Sequence, residues 1–343
     1  MTYIIAFLLL VLLSYLVVWL IRRYTERRKI FDLPNERSSH TVPTPIGGGW
    51  AIVILVLFTA LFFLREIGLY HALVYMICAT ILAWVGWRDD VQSLSPILRF
   101  TVQGAVAGAS IAALGYFKFV TIPMLGEMPL GVIGILITFL WIVGMTNAYN
   151  FMDGIDGMAG GVAVAGGLGW MMLASNAKTP FAFWVAFAAA ASALGFLGHN
   201  WPPAKIFMGD VGSTFLGYTF AVLPLLSSDK SGDALMLGTL LMWTTIMDAG
   251  VTFIQRAVKS ENLFKPHRNH LFQRLVIAGY SHAAVSSLYI SLTLLAGLLA
   301  YAWSWGQWYA PPLIILGLPL IWLLLSNHAR RLKRTAYATK EKF

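Results

Sequence analysis

Long apolar runs separated by short polar loops constrain this chain more than any other feature. The first run extends from Tyr3 to Ile21, and similar runs recur almost to the C-terminus. Of the 343 residues, 58% are hydrophobic and only 11% are charged, more apolar surface than a soluble domain can bury. A helix of about 20 apolar residues crosses a bilayer. The composition therefore predicts an all-α polytopic membrane protein.

Segments of this length predict about eleven transmembrane helices. They lie at about 3–21, 48–64, 68–87, 99–117, 128–146, 158–175, 180–198, 211–227, 234–255, 282–303 and 308–326. No internal repeat or low-complexity linker divides the chain, so residues 1–343 are predicted to form one integral-membrane domain. The first run ends in Arg22-Arg23 and lacks a basic leader and a cleavage site, so we interpret it as a retained span rather than a signal peptide.

The basic residues are distributed unevenly among the loops, and this predicts the orientation. One set of loops contains 19 of the 24 Lys and Arg, and Arg99 directly borders it: about 22–47, 88–98, 147–157, 199–210 and 256–281, with the C-terminal tail. The positive-inside rule places this set in the cytosol and the N-terminus outside. The net charge of +9 then indicates contact with anionic membrane lipids, and no nucleic-acid partner is predicted.

Ten of the fifteen acids lie in or next to the same loops, so we predict that any chemistry occurs at the cytosolic face. Only one cysteine, Cys78, is present, which excludes an internal disulfide and a cysteine-based metal site.

The loop after the fifth predicted span is unusually polar. It reads NAYNFMDGIDGMAGG, with Asn147, Asn150, Asp153 and Asp156 spaced by three. Residues three apart share a face on a helical turn, and the glycines allow a ligand to approach the backbone. The alternative is a polar loop that merely connects two membrane helices.

Two further loops carry acids. Asp89 and Asp90 are adjacent at the end of the third span, where paired carboxylates repel unless a cation joins them. A hard cation such as Mg²⁺ takes carboxylate oxygens and keeps water or phosphate as its other ligands. Asp210, in HNWPPAKIFMGDVGS, stands where the eighth span begins. It is either a metal ligand or a cap of that helix, and the Asp89-Asp90 pair is either a cation site or a solvated helix end.

The fifth loop of this set is the most basic and contains KPHRNHLFQRL. Its Arg268, His270 and Arg274 suit a phosphate or diphosphate, although an interfacial helix with a basic face is the alternative. In the first loop, DLPNERSSHTVPTPIGGG, Arg37 and His40 could reach a phosphate, although an ordinary loop before a glycine-rich helix start is the alternative. Asp248, inside the ninth span, is either part of a functional site or paired with a polar group of a neighbouring span.

Acids, a divalent cation and Arg/His together are the groups that phosphoryl transfer requires, because this chemistry depends on positioning and charge neutralisation. A membrane location adds the expectation that one substrate is a lipid.

These motifs resemble the polyprenyl-phosphate N-acetylhexosamine-1-phosphate transferases, glycosyltransferase family 4. Four matches carry the resemblance: PTPIGGG, the Asp89-Asp90 pair, NAYNFMDGIDGMAGG and NWPPAKIFMGDVGS. The resemblance covers nearly the whole chain, and eleven spans with an outside N-terminus match the family architecture.

The resemblance implies a role for each motif. Asp89 and Asp90 would be catalytic, and Asp210 would bind Mg²⁺, with Mn²⁺ as an alternative ion. The remaining residues divide into a nucleotide-sugar site, namely Asn147, Asn150, Asp153, Asp156, Asn200 and Phe207, and a phosphate-binding set, namely His40, Arg268, His270 and Arg274. The substrates would be undecaprenyl phosphate and a UDP-N-acetylhexosamine, at the inner membrane; dimers occur in the family, so a homodimer is left open.

Two departures from the family indicate the branch. The peptidoglycan enzyme, phospho-N-acetylmuramoyl-pentapeptide transferase, has a histidine run in its basic loop where this chain has Phe272 and Gln273, and a lysine where this chain has His40. The chain is more similar to the branch that starts O-antigen and related surface polysaccharides, which uses UDP-GlcNAc, UDP-FucNAc or UDP-QuiNAc. The peptidoglycan enzyme, a lipid-diphosphate hydrolase and an ion-coupled transporter remain as alternatives.

Overall fold

A computed structural model describes residues 1–34, 42–227, 233–262 and 268–340, the last eight by their backbone. All eleven predicted segments are helical. The helices are α1 (Thr2–Arg28), α2 (Gly49–Phe62), α3 (Leu69–Val91), α4 (Pro96–Leu114), α5 (Ile133–Met152), α6 (Met158–Asn176), α7 (Pro180–Asn200), α8 (Asp210–Leu226), α9 (Asp233–Leu241), α10 (Trp243–Val258), α11 (Leu271–Ile277), α12 (His282–Ser304), α13 (Ala310–Pro312) and α14 (Leu318–Lys340). A 3₁₀ turn covers Leu64–Glu66, and a π-helical turn, Leu313–Gly317, joins the last two helices.

The predicted all-α membrane class is confirmed. Among the described residues, eight helices are long and apolar enough to cross a membrane, or nine when α9 and α10, bent by 83°, count as one span. The predicted spans 48–64 and 211–227 are the shorter helices α2 and α8. With 14 residues, α2 is only about 21 Å long. The count of eleven spans and the orientation therefore stay predictions.

Two short antiparallel hairpins interrupt the helices. Strands β1 (Phe31–Asp32) and β2 (Thr44–Pro45) pair before α2, and β3 (Phe119–Ile122) pairs with β4 (Gly126–Pro129) between α4 and α5. The predicted fifth span began at residue 128, which was wrong: residues 126–129 are a strand and the helix begins at Ile133. Hydropathy cannot separate an apolar strand end from the helix that follows it.

Polar residues and prolines mark several helix starts. Ser95 caps α4 by accepting a hydrogen bond from the Leu98 amide at 3.2 Å, and Pro96 follows at the first helical position. Ser281 caps α12 in the same way through the Ala284 amide. Proline at this position lacks only an N–H that would otherwise have no partner in the helix. These local signals fix where the loops at the candidate site end.

Helix α8 lies at the centre of the bundle, since 15 of its 17 residues are buried. It packs against α3 and α5, while α6, α7 and α1 form a second group of closely packed helices. Small residues allow this close approach: a Cβ at Gly195 of α7 would lie 2.4 Å from the Val11 carbonyl oxygen of α1. The candidate site lies where the N-terminus of α8 meets the C-termini of α3 and α5.

Candidate functional site

The motif NAYNFMDGIDGMAGG, residues 147–161, is called the polar stretch below, and it begins in the last turns of α5. Asp210 is the first residue of α8 and is held by this polar stretch. The Asn150 side-chain Nδ2 donates to Asp210 Oδ1 at 2.8 Å and to the Ser213 hydroxyl at 2.9 Å. The Ser213 hydroxyl in turn donates to the Gly209 carbonyl oxygen at 3.1 Å. Asn150 thus orients the carboxylate assigned to the metal, rather than pointing freely toward a ligand.

Asp90 reaches from the end of α3 to the start of α8. Its Oδ1 accepts a hydrogen bond from the Asp210 amide at 2.8 Å, and its Oδ2 accepts one from the Val211 amide at 3.2 Å. A carboxylate that accepts the free amides at a helix N-terminus stabilises that helix. Both Asp90 oxygens are therefore engaged with the backbone that carries Asp210.

Asp89 faces a cation instead. Its Oδ2 accepts from Arg99 Nη1 at 2.6 Å, and its Oδ1 accepts from the Leu94 amide at 2.6 Å. The same Arg99 nitrogen lies 3.8 Å from Asp210 Oδ2, and the Arg99 side chain is 37% exposed. Arg99 therefore stands between the two carboxylates at the open side of the cluster.

Glycines make this convergence of helices sterically feasible. A Cβ at Gly86 would lie 2.4 Å from the Asp210 carbonyl oxygen, and one at Gly49 would lie 2.4 Å from the Gly212 Cα. Gly209 has φ 78°, and a Cβ there would lie 2.5 Å from Asp90 Oδ2. These positions accept no side chain, so the glycine-rich start of α2 serves close packing around Asp210.

The segment before α2 also pairs with the loop before α8. The Phe207 amide donates to the Pro45 carbonyl oxygen at 2.8 Å, and the Gly48 amide donates to the Phe207 carbonyl oxygen at 2.9 Å. The Phe207 main chain is thus fixed beside Asp210. Its ring is half-buried, and its predicted place near a uridine stays a prediction. His40 lies outside the described residues.

Asp153 follows the last residue of α5 and lies among other acids. Burial, and then the charges of Asp210, Asp156 and Asp32, raise the pKa of the Asp153 carboxyl to about 7. A cluster of carboxylates with raised pKa is short of positive charge, which is the setting in which a divalent cation binds.

The side chain of Asn147, the first residue of the polar stretch, makes its hydrogen bonds away from Asp210. Its Nδ2 donates to Gln103 Oε1 of α4 at 2.6 Å and to the Val143 carbonyl oxygen at 2.8 Å. The structure thus places Asn147 in a contact between α4 and α5, about one helical turn before Asn150.

Asp156 and Asn200 connect the polar stretch to the loop after α7. Asp156 Oδ2 accepts from the Ala204 amide at 3.1 Å, and it lies 3.4 Å from His282 Nδ1 at the start of α12. Asn200 is buried; its Oδ1 accepts from the Gly157 amide at 2.9 Å and its Nδ2 donates to the Ile206 carbonyl oxygen at 3.0 Å. Asn200 therefore joins two loops through their main chains.

The basic loop packs against the polar stretch. The His270 ring lies 6.0 Å from the Phe151 ring, and a Cβ at Gly154 would lie 2.9 Å from the Phe272 ring. Phe272, which replaces a histidine of the peptidoglycan enzyme, is fully buried and packs as a core residue. Arg268 and Arg274 are half-buried in this loop, while residues 265–267 of the motif lie outside the described residues.

A divalent cation fits this arrangement with few protein ligands. Within the described ranges, no three His, Cys, Asp or Glu side chains form a metal cage. Mg²⁺ is commonly held by one or two carboxylates and completes its shell with substrate phosphates and water. Asp210 Oδ2, which faces a guanidinium at 3.8 Å, already meets positive charge at the open side of the cluster. The residues present therefore fit a Mg²⁺ held chiefly by Asp210.

Four contributors to the site were not singled out from the sequence: Arg99, Gln103, Ser213 and His282. Ser213 lies in the motif GDVGS, three residues after Asp210, and this spacing is a local signal that the two residues are neighbours. Arg99 sits at a predicted membrane boundary, where basic residues are common, so nothing in the sequence distinguished it. Gln103 and His282 become recognisable only when α4 and α12 are placed.

Comparison with known proteins agrees with these motifs. The family model described as glycosyl transferase family 4 matches residues 72–228. A probable undecaprenyl-phosphate N-acetylglucosaminyl 1-phosphate transferase of Bacillus subtilis is 32% identical over 285 residues, covering 81% of this chain and 78% of that protein. The undecaprenyl-phosphate alpha-N-acetylglucosaminyl 1-phosphate transferase of Yersinia pestis is 30% identical over 332 residues, covering 92% and 88%. The Escherichia coli K12 protein of the same name is 29% identical over 303 residues, covering 84% and 80%.

Proposed function

Because the chain belongs to glycosyl transferase family 4, the polyprenyl-phosphate N-acetylhexosamine-1-phosphate transferases, we propose that it transfers an N-acetylhexosamine-1-phosphate from a UDP-sugar to undecaprenyl phosphate. UMP is the second product. Membership in the family makes the chain a phosphotransferase, and the names of its relatives support undecaprenyl phosphate as the acceptor.

The observation that carries the proposal is the convergence of two acids, one amide and one cation at a single end of the bundle. Asp210 is bound by Asn150 at 2.8 Å, and Arg99 lies 2.6 Å from Asp89 and 3.8 Å from Asp210. The basic loop adds positive charge on the neighbouring side. Two phosphorylated substrates need this alternation of acidic ligands and basic donors.

In the proposed reaction, a phosphate oxygen of the lipid forms a bond to the β-phosphorus of the UDP-sugar. The bond from that phosphorus to the bridging oxygen breaks, and the electron pair leaves with UMP. Arg99 is the exposed cation beside Asp89, so we assign it to the acceptor phosphate. Asp89 would then take a proton from that phosphate. A two-step route through a phospho-aspartate on Asp89 is the alternative mechanism.

Mg²⁺ would be held by Asp210 and would neutralise charge on the diphosphate as the bond breaks. Asp90 and Asn150 keep Asp210 in place, the first through the backbone of α8 and the second through the carboxylate itself. The contribution of the chain is chiefly orientation and electrostatics.

The donor is proposed to lie along the polar stretch. Asp153 and Asp156 border the site directly, and Phe207 lies beside it. Asn200 would act by holding the loops that carry Asp156 and Phe207, and Asn147 by fixing α5 to α4. Arg268, His270 and Arg274 are assigned to the donor phosphates, and His40 to a phosphate as well.

We place the site on the cytosolic face of the inner membrane. The uneven distribution of Lys and Arg supports this placement, and the helix ends that form the site belong to the loops of that basic set. The similarity of DLPNERSSHTVPTPIGGG to the surface-polysaccharide branch supports O-antigen or related synthesis, with GlcNAc, FucNAc or QuiNAc as the sugar.

The alternatives are less well supported. The compared relatives are named for N-acetylglucosaminyl 1-phosphate transfer rather than for muramoyl-pentapeptide transfer. A transporter would need a titratable acid open to an ion near the middle of the membrane, and Asp248 has hydrogen-bond donors on both oxygens.

The deciding experiment is a UMP-release assay on the purified protein with Mg²⁺, undecaprenyl phosphate and a panel of UDP-N-acetylhexosamines, including the muramoyl-pentapeptide donor. We expect UMP only when both the lipid and one UDP-sugar are present. Release of UMP without the lipid would indicate that the protein hydrolyses the UDP-sugar, and no release with any sugar would end the transferase proposal. Asp210→Asn, checked for folding, is expected to abolish turnover, and replacing Mg²⁺ by Mn²⁺ tests the ion.

A further inference from the structure

Asp248 is a buried carboxylate that the proposed chemistry does not use. It lies in α10, after the 83° bend, and is 1% exposed. Its Oδ1 accepts from the Leu271 amide at 2.7 Å, and its Oδ2 accepts from the Tyr289 hydroxyl at 2.6 Å and from the Phe272 amide at 3.3 Å. Three elements, α10, α11 and α12, therefore meet at one side chain.

A carboxylate is costly to bury unless several donors surround it. Here the donors include the first two amides of α11, a helix of only seven residues. Such a short helix does not hold itself together in isolation, so its start depends on tertiary contacts. The charge of Asp248 supplies an acceptor at the end of the helix where the dipole favours an anion.

The start of α11 also touches the polar stretch. The Phe272 ring packs on Gly154, where a Cβ would lie 2.9 Å from the ring, and Asp153 is the adjacent residue. The His270 ring is stacked on Phe272 at 5.6 Å, and His270 Nδ1 lies 3.3 Å from Asp248 Oδ1. A shift of this helix start would therefore move both the basic loop and the loop that carries Asp153.

We propose that Asp248 is a positioning residue for donor binding: it anchors the start of α11 and thereby sets the place of His270 and Phe272 against residues 151–154. The inference rests on the proposed function, because that function assigns His270 and Asp153 to the UDP-sugar. Asp248 itself touches neither substrate in this assignment. The sequence left two interpretations of Asp248, a part of a functional site or a partner of a polar group in a neighbouring span. The hydrogen bond from Tyr289 of α12 shows that the pairing exists.

The first test is Asp248→Asn, which keeps the shape but replaces one acceptor oxygen by an NH₂ group that faces backbone donors. We expect the KM for the UDP-sugar to rise about tenfold or more, since one charged hydrogen-bonded acceptor is lost. The KM for undecaprenyl phosphate should not change. A merely less stable enzyme would lose kcat, through a smaller active fraction, with both KM values intact. Asp248→Glu restores the charge and is expected to recover part of the donor affinity.

Matched variants separate the charge from general packing. Tyr289→Phe removes one donor but leaves the carboxylate and both amide contacts, so the donor KM should rise only about threefold. Thr244→Val removes a buried hydroxyl of the same helix that bonds Thr293 at 2.9 Å and is not part of the Asp248 cluster. It should leave both KM values unchanged.

Hydrogen exchange measures the anchoring without any turnover. In Asp248→Asn, amides in the peptide 268–277 should exchange at least about tenfold faster, because one of the Leu271 and Phe272 amides loses its acceptor and both lose the carboxylate charge. Peptides of α12 beyond Tyr289 should be unaffected. Faster exchange together with a wild type that releases no UMP would refute the proposed function and leave the anchoring intact.

An active wild type whose Asp248→Asn variant keeps its donor KM would overturn the inference, and so would unchanged exchange. Should Asp248→Asn fail to fold, Phe272→Leu tests the same route, because it keeps an apolar side chain but removes the ring from Gly154. A donor KM unaffected by Phe272→Leu would then overturn the inference.

Discussion

Asp89 and Asp90 are neighbours in the chain, yet their carboxylates have different surroundings. Asp90 binds two backbone amides of α8, and Asp89 binds the half-exposed Arg99 side chain. Adjacent residues of a helix point about 100° apart, so one faces α8 and the other faces the opening. Both residues were predicted to be catalytic. The geometry shows that Asp90 holds the start of α8, and we propose that Asp89 alone is the reactive group.

The division predicts different results for two equivalent substitutions. Asp90→Asn should lower the free energy of unfolding by about 1–3 kcal/mol, because a buried amide of α8 loses its acceptor. Asp89→Asn should cost less, since its partner is partly solvated, but should abolish turnover. Thermal unfolding and UMP release measure both effects, and equal losses of Tm in the two variants would contradict the division.

Arg99 is expected to act on the acceptor rather than on the donor. Arg99→Ala should raise the KM for undecaprenyl phosphate roughly ten- to hundredfold, as expected for a lost charge-assisted hydrogen bond. The KM for the UDP-sugar should change little. Arg88→Ala is the matched control, because Arg88 lies in the same region but binds the exposed Gln92 at 2.8 Å. A donor effect larger than the acceptor effect would refute this assignment.

The raised pKa of Asp153 predicts how the stability of the protein depends on pH and on a divalent cation. The pKa of the Asp153 carboxyl is raised from 3.8 to about 7. Between these two pH values the folded protein therefore holds a proton on Asp153 that the unfolded chain has released. Without a divalent cation, the free energy of unfolding should therefore fall as pH rises from about 4 to about 7.

The proposed Mg²⁺ would compete with that proton, so the rise in Tm on adding Mg²⁺ should be larger at pH 8 than at pH 6. Asp153→Asn removes the titrating group and should reduce the difference between the two pH values. An identical Mg²⁺ effect at both pH values in the wild type would argue against a cation beside Asp153.

At the scale of elements, the site exists because three helix ends approach to backbone contact. The start of α2, the end of α3 and the start of α8 meet at glycines, where even a methyl group would lie 2.4 Å from a neighbouring main-chain atom. Tight packing of this kind places carboxylates with an accuracy that flexible loops do not offer. The short helices α2 and α8 are thus part of the site as well as of the bundle.

Gly86→Ala tests this contact. Its Cβ would lie 2.4 Å from the Asp210 carbonyl oxygen, so α3 and α8 must separate, and we expect a lower Tm and a large loss of UMP release. Gly108→Ala is the matched control, because nothing lies within 4 Å of a Cβ there. Alanine favours a helix over glycine by up to about 1 kcal/mol, so Gly108→Ala should be neutral or stabilising. Similar behaviour of the two variants would contradict the role of the close contact.

At the scale of the whole molecule, the described parts of the predicted cytosolic loops meet at one end of the bundle, and the hairpin β3–β4 lies between helices at the other predicted side. The orientation therefore has a direct test. In a Cys78→Ala background, Ser93→Cys in the loop between α3 and α4 should react with a membrane-impermeant thiol reagent only from the cytosol. Met124→Cys, at the 74% exposed tip of the hairpin, should react only from outside, and the reverse pattern would invert the topology.

Local patterns predicted much of this molecule. Apolar run length located all eleven helical segments, since burial in a bilayer is a property of consecutive residues. It missed the β3–β4 hairpin and the bend between α9 and α10, and it does not decide whether the short helices α2 and α8 cross the membrane. The motifs around Asp89, Asn150 and Asp210 identified the family, which the comparisons confirm.

The sequence by itself determined the membrane class, the family and the set of polar residues from which the site is built, because these follow from composition and from motifs of adjacent residues. Only the tertiary structure decided what each polar side chain binds. Asn200 and Asp90 bind backbone, Asn147 binds Gln103, and Asp248 anchors α11. These partners lie up to 120 positions apart in the chain, so hydrogen bonding between them depends on how the helices pack and has no signature in local sequence.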